Sequence, residues 1–152
     1  MENKKQEKKE EKLTEHFSLE ELTRTDETDL KELNLQEGRA IKEKLTKLAE
    51  FAESVRGVLG CPMVITSGFR CEKLNAKLGG SPTSQHRFAE AIDFIPKTMS
   101  AFEAYTRILI SGIAYGQLIL EKRGNGHLLH ISTGFKRQKM FSTQQGKYDN
   151  VL

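Results

Sequence analysis

Apolar residues recur at steps of three or four along residues 38–59, which predicts one long helix with a single apolar face. The residues of this face are Ile41, Leu45, Leu48, Phe51, Val55 and Val58. Gly60 and Pro62 follow the last of them and predict the end of the helix. Earlier in the chain, Ser18 and Glu21 have the spacing of a capping box, so we expect a short helix there. The polar residues 23–37 are predicted to form a connecting loop.

Shorter apolar runs between turn residues predict strands and short helices in the second half of the chain. These elements are a strand over 63–67, a helix over 72–78, a strand over 90–95, a helix over 101–111, and a hairpin with strands over 116–121 and 127–132. The residues from Gly134 onward are polar, and we expect them to fray. Because helices and strands mix without a strict β–α–β alternation, the predicted fold class is α+β, with a small antiparallel sheet packed with helices.

The composition of the two ends separates them from the central part. The chain has 152 residues, which is enough for one domain and a tail. Residues 1–12 are almost entirely Glu, Lys, Gln and Asn, and they bury nothing that could offset the entropy of ordering them. We therefore predict a disordered charged tail over 1–14, one domain over 15–135 and a polar C-terminal segment over 136–152.

Charge and cysteine usage narrow the classes of function. The net charge of +3 permits an anionic partner but does not require nucleic acid. No run approaches the roughly 20 apolar residues of a membrane helix, and the N-terminus lacks the apolar stretch of a secretory signal. Cys61 and Cys71 do not form a C-x-x-C pair, so we expect reduced thiols. We expect a protein that is cytoplasmic as synthesised and monomeric, with neither nucleic acid nor a membrane as its partner.

Three polar residues stand out in or beside the predicted strands. Asp93 lies within an apolar strand, where a carboxylate is unfavourable unless a metal ion or a basic side chain meets it. His130 lies among aliphatic residues, and His86 follows a loop rich in Gly and Ser. Two histidines and one carboxylate are a ligand set suited to zinc, with a fourth position left for water. Taken singly, each residue also fits a structural role as a paired Asp or a hydrogen-bonded His.

Several short motifs resemble the zinc D-alanyl-D-alanine carboxypeptidase family, and they are most similar to its small phage and prophage members. The motifs are ITSGFR at 65–70, LN at 74–75, GG at 79–80, SQH at 84–86, AID at 91–93 and HIS at 130–132. The run HFSLEEL at 16–22 also resembles the start of these small members. The resemblance extends over residues 15 to 133.

This resemblance implies a peptidase that cuts peptide bonds of bacterial cell-wall stem peptides, usually beside a D-amino acid. It implies that His86, Asp93 and His130 hold Zn²⁺ on the face of the sheet, and that Arg70 contacts the substrate near the scissile carbonyl. The alternative for Arg70 is a structural ion pair with Asp93. Ser84 and Gln85 are predicted to bind substrate, with loop capping as their alternative role.

Two positions depart from the family pattern. Ala89 stands where a glycine is common, which is tolerable if its φ angle is negative. His127 stands where many members have a catalytic glutamate, so the general base is either His127 or Glu121. If Glu121 pairs with His127, it points away from His130, whereas a shift of one residue brings it to the same face. His127 has two further alternatives, a plain turn residue and an accessory metal ligand.

These expectations leave three functions open. The first is a zinc peptidase, either a D,D-carboxypeptidase or an endolysin-type endopeptidase, whose partner is the peptidoglycan stem peptide. The second is a catalytically silent zinc module that binds the cell wall or forms part of a phage particle. The third is a metal-free α+β binding domain. A peptidase without a secretory signal would act on the wall after release from the cell or as part of a phage particle.

Overall fold

The computed structural model describes residues 8–134, 136–144 and 147–150. Its helices are α1 (Leu19–Leu22), α2 (Lys31–Ala40), α3 (Lys42–Leu59), α4 (Glu72–Lys77) and α5 (Ala101–Ser111), and a 3-10 turn spans Gln85–Phe88. Its strands are β1 (Met63–Ser67), β2 (Ala91–Pro96), β3 (Gln117–Arg123), β4 (Gly126–Ser132), β5 (Gln138–Gln144) and β6 (Lys147–Asn150). None of the helices in these described ranges is both long enough and apolar enough to cross a membrane.

The strands form one six-stranded sheet in the order β1-β2-β4-β3-β5-β6. All neighbouring strands are antiparallel except β3 and β5, which are parallel. One face of the sheet packs against the helices, and the core contains strand residues such as Ile92, Phe94 and Leu129 together with Leu48 of α3 and Ile108 of α5. The α+β class and the mainly antiparallel sheet are therefore confirmed. Alternation along the strands leaves the second face available for polar side chains.

The N-terminal helix begins with the predicted capping box. Ser18 Oγ accepts a hydrogen bond from Glu21 N, and the Glu21 carboxylate accepts one from Ser18 N at 2.8 Å. The chain already contacts the domain before this helix, because Leu19 N donates to the carbonyl oxygen of Glu11 at 2.8 Å. Glu53 of α3 accepts hydrogen bonds from Thr14 and His16. These contacts attach the end of the predicted tail to the helical layer.

The prediction of a loop over 23–37 is wrong in its second half, because α2 begins at Lys31. The predicted helix over 38–59 begins only at Lys42, since the chain bends at Ile41, whose φ of −113° and ψ of 33° are not helical. The apolar pattern missed α2 because a buried amide holds this helix. Asn34 Nδ2 donates to the carbonyl oxygens of Thr23 and Phe69, and Asn34 Oδ1 accepts from Cys71 N.

The elements predicted between residues 63 and 132 are confirmed. β1 covers the predicted residues, α4 ends one residue before its predicted end, β2 is shifted by one residue at both ends, and α5 ends before Gly112 in the left-handed conformation. The β3–β4 hairpin turns at two residues, Gly124 and Asn125. The expectation that the chain frays after Gly134 is wrong for β5 and β6. These polar strands form because β5 pairs with the otherwise open edge of β3 through backbone hydrogen bonds, which require no apolar pattern.

Candidate metal centre

A single row of residues crosses five strands on the face of the sheet opposite the helices. Strand pairing places Ser67 beside Asp93, Asp93 beside His130, His130 beside Ile119, and Ile119 beside Met140. Residues directly opposite each other on neighbouring strands share a face, so these five side chains lie next to one another. The row thus runs from a polar end at β1 to an apolar end at β5.

The middle of the row, together with His86, forms a compact group of possible metal ligands. Asp93 Oδ1 lies 2.8 Å from His130 Nδ1 and 3.2 Å from His86 Nε2. One ligand atom from each of these three residues lies within 4.8 Å of the other two. The side chains are 5%, 5% and 11% exposed for Asp93, His86 and His130. A His–Asp–His group that can hold a metal ion is therefore present on the sheet face.

Carbonyl oxygens fix the orientation of both imidazole rings. His86 Nδ1 lies 2.7 Å from Gly68 O, and His130 Nε2 lies 3.0 Å from Gln85 Oε1. A carbonyl oxygen can only accept, so these two nitrogens donate. In neutral rings, His86 Nε2 and His130 Nδ1 then present lone pairs toward the Asp93 carboxylate. Three electron-pair donors that converge in a buried site fit a bound cation.

The electrostatics of Asp93 agree with this geometry. Burial opposes ionisation of the carboxyl group, but without a metal ion the positive charge and hydrogen bonds of protonated His86 and His130 outweigh that effect and hold the pKa of Asp93 well below its usual range. Arg70 adds a more distant positive charge, with Nη2 at 3.7 Å from Asp93 Oδ2. Asp93 is therefore a carboxylate at neutral pH, which is the form that binds metal ions.

Arg70 reaches the site from the turn that follows β1. Its Nε donates to Ser67 Oγ at 2.9 Å, and its backbone N donates to His86 O at 3.0 Å. Its side chain is 16% exposed. The turn is held tightly, since a Cβ at Gly68 would lie 2.4 Å from Leu22 O. Arg70 therefore makes the ion pair with Asp93 that was considered from the sequence, although the contact is long. Arg70 also lines the cleft.

The hairpin register places Glu121, and not His127, on the face of the sheet that carries His130. Glu121 pairs with Leu128, and Lys122 pairs with His127. Glu121 therefore shares the face of Leu128 and His130, and it is 4% exposed. Arg123 Nη2 lies 2.6 Å from Glu121 Oε1. The sequence could not fix this register, because a shift of one residue turns the carboxylate to the opposite face.

The interpretation of His127 as the general base needs correction. His127 lies inside the regular strand β4, on the opposite face from His130, and its side chain is exposed. It is not among the residues that line the cleft around the metal ligands. The same position argues against a role as an accessory metal ligand. The remaining alternative is a plain turn residue, and His127 lies close to the turn as the second residue of β4.

A cleft of about 560 Å³ opens over the ligand group. Of the residues predicted from the sequence, it is lined by Arg70, Ser84, Gln85, His86, Asp93, Glu121 and His130. Gln85 has a contact that the sequence did not indicate, because its amide oxygen orients His130. The predicted substrate contacts of Ser84 and Gln85 stay predictions. Sequence reasoning missed other lining residues: Gln117, Ile119, Arg123 and Met140.

The missed residues differ in how far the sequence could have revealed them. Gln117, Ile119 and Arg123 alternate with Glu121 along β3, so extending the strand pattern would have placed them on the same face. Met140 belongs to β5, which the sequence pattern did not predict.

Ala89, at the position where the resembling family has glycine, has a φ angle of 54°. The negative φ that would make alanine harmless there is therefore not present.

Comparison with protein families agrees with the residue pattern. A family model described as peptidase M15 matches residues 15–131, which is most of the chain and includes all three possible metal ligands. No curated protein matches the chain.

Proposed function

The chain belongs to the peptidase M15 family, and from this premise we propose that it is a zinc-dependent peptidase acting on bacterial cell-wall stem peptides. The observation that carries the proposal is the convergence of His86 Nε2, Asp93 Oδ1 and His130 Nδ1 at the base of a cleft. The bond cut would be a peptide bond beside a D-amino acid, by D,D-carboxypeptidase or endolysin-type endopeptidase action.

These three residues would hold the zinc ion. Two imidazole nitrogens and one carboxylate form a set with an open fourth position, which is typical of catalytic rather than structural zinc. When bound, zinc lowers the pKa of a water ligand to near 7 and polarises the scissile carbonyl. Gly68 O and Gln85 Oε1 keep the imidazoles turned toward the centre, so the chain supplies a preorganised site.

Glu121 would act as the general base and then as the general acid. Its carboxylate shares the face of His130 and lines the same cleft, so it can take a proton from the attacking water and pass it to the leaving amine. Arg123 contacts one of its oxygens and holds the carboxylate in place. Arg70, at the polar end of the row, would stabilise the negative charge that develops on the carbonyl oxygen.

The cellular setting is part of the proposal. The enzyme would work as a monomer on peptidoglycan, after release from the cell or as a component of a phage particle, with neither nucleic acid nor a membrane as its partner. The family match supports the peptidase on which this setting rests.

The test compares metal content and product release in matched variants. Protein purified without added zinc is analysed for bound metal, and muropeptides are assayed for released D-alanine or shortened peptides. We expect Glu121→Gln to retain the metal and to lose turnover by about 10²- to 10⁴-fold, because only the proton transfer is removed. His86→Ala should lose both metal and turnover.

His127→Ala is the matched control, since it removes a titratable side chain from the same hairpin on the opposite face. It should retain full turnover. Full turnover in Glu121→Gln would refute the assignment of the base. Zinc-loaded wild-type protein that releases no product would favour the silent zinc module, and protein that binds no metal would favour a metal-free binding domain.

A further inference from the structure

The apolar end of the row across the sheet has no role in the mechanism above. Ile119 of β3 and Met140 of β5 lie side by side there, next to His130, and both line the cleft. Ile119 is 7% exposed, and Met140 is half-buried. In a cleft whose other lining residues are nearly all polar or glycine, this pair is the main apolar surface.

Polar contacts bound this apolar pair in both directions along the strands. On one side, Gln117 Nε2 donates to Gln138 Oε1 at 2.8 Å, which ties β3 to β5. On the other side lies the Glu121–Arg123 ion pair. Side chains on one face of a strand repeat about every 6.8 Å, so the apolar strip is only one residue wide. A long apolar side chain would extend from this strip over the polar groups on either side, so the strip favours a small apolar side chain.

The opposite end of the row has a different chemical character. Ser67 and Arg70 lie beyond Asp93, on the far side of the metal ligands from Met140. A peptide whose scissile bond lies over the ligand group would therefore meet polar groups on one side of that bond and an apolar surface on the other. This asymmetry can select the substrate residue that lies next to the bond.

We propose that Ile119 and Met140 form a subsite for a small apolar side chain, of the size of alanine, on the substrate residue next to the scissile bond on the side away from Arg70. The specificity-determining residue is Met140. It comes from β5, which lies beyond the residues 15–131 that match the family model. The peptide nature of the ligand rests on the proposed function, whereas the size and polarity of the subsite rest on the residues themselves.

The experiment measures hydrolysis of a peptide series by wild-type protein, Met140→Ala and Met140→Leu. The series carries glycine, alanine, valine or leucine in turn at each position flanking the scissile bond. In Met140→Ala we expect KM for the alanyl peptide to rise roughly threefold to tenfold with little change in kcat, because ground-state contacts are lost. The preference for alanine over leucine should fall, since the shortened side chain leaves space. Met140→Leu should restore the wild-type order.

Lys139→Ala is the matched control. It changes the neighbouring residue of β5, which pairs with Leu118 and so lies on the opposite face of the sheet. It should leave the preference among the peptides unchanged, and circular dichroism should show that every variant is folded. An unchanged order of preference in Met140→Ala would overturn the subsite.

Calorimetric binding of the same peptides to zinc-loaded Glu121→Gln protein, with and without Met140→Ala, separates this proposal from the proposed function. Binding whose side-chain preference depends on Met140, in a protein whose wild type does not cut, would support the subsite and overturn the peptidase. If the wild-type protein cuts the peptides and Met140→Ala changes the side-chain preference of neither cleavage nor binding, the peptidase would be supported and the subsite overturned. A wild-type protein that neither binds nor cuts the peptides would overturn both.

Discussion

At the scale of single residues, the site depends on side chains that touch the possible ligands as much as on the ligands themselves. Gln85 shows this most directly. From the sequence it was a candidate for substrate binding, yet its amide oxygen lies 3.0 Å from His130 Nε2. A hydrogen bond of this kind fixes which imidazole nitrogen carries the proton and which faces the metal. We therefore expect Gln85 to act as a positioning residue for His130.

We predict that Gln85→Leu weakens zinc binding by roughly 10- to 100-fold, because His130 loses the acceptor that orients it. Competition with a chromophoric chelator measures the affinity. Ser84→Ala is the control, since Ser84 lines the cleft while the two histidine rings bond to Gly68, Asp93 and Gln85. Unchanged zinc affinity in Gln85→Leu, together with a raised KM, would return Gln85 to a purely substrate-binding role.

The residue scale also shows where sequence reasoning reached its limit. His86, Asp93 and His130 could be grouped from residue type and motif, because a buried carboxylate and a strand histidine each need a partner. The choice between Glu121 and His127 could not be made, since it depends on a hairpin register that differs by one residue. The φ angle of 54° at Ala89 was equally hidden, because alanine does not signal the left-handed conformation.

At the scale of elements, the sequence predicted those that bury an apolar pattern and missed those held by hydrogen bonds. α3 and the strands β1 to β4 bury regular apolar positions, and their outlines followed from periodicity. α2 and β5 do not. α2 fully buries only Asn34 and Gly38 and packs Leu33 and Leu35 partly against the core, whereas β5 is joined to β3 by backbone pairing. Such contacts leave no periodic trace in the sequence.

The Asn34 side chain, which holds α2 to the rest of the chain, should contribute strongly to stability. Its side chain is fully buried, and it satisfies backbone groups of Thr23, Phe69 and Cys71. Replacement with alanine leaves these groups buried without a partner, so we expect Asn34→Ala to lower the free energy of unfolding by about 3 kcal/mol. Urea titration followed by circular dichroism measures the change.

The control for this variant is Gln36→Ala on the exposed side of the same helix, which should change stability by less than about 0.5 kcal/mol. A loss below about 1 kcal/mol in Asn34→Ala would mean that water replaces the amide and that other contacts hold α2. If Asn34→Ala lowers the free energy of unfolding as expected, it should also reduce activity at high temperature, because Phe69 and Cys71 flank Arg70 in the turn beside the cleft.

At the scale of the whole molecule, the possible ligands come from separate parts of the fold. His86 lies in the 3-10 turn after α4, Asp93 in β2 and His130 in β4. These residues come together only when the sheet has formed and the loop has folded over it, so the unfolded chain has no preformed site. A metal ion that binds here would therefore stabilise the folded state by linkage, in addition to its role in catalysis.

We predict that zinc at 100 times its dissociation constant stabilises the protein by about 2.7 kcal/mol, which for a chain of this size raises Tm by roughly 5–11 °C. Thermal unfolding is measured with zinc and again after removal of metal with a chelator. In His86→Ala the same additions should leave Tm unchanged, because one of the three ligands is missing. A Tm that rises equally in wild-type protein and His86→Ala would place the stabilising metal elsewhere on the molecule, and the ligand group over the sheet would then lose its support as a metal centre.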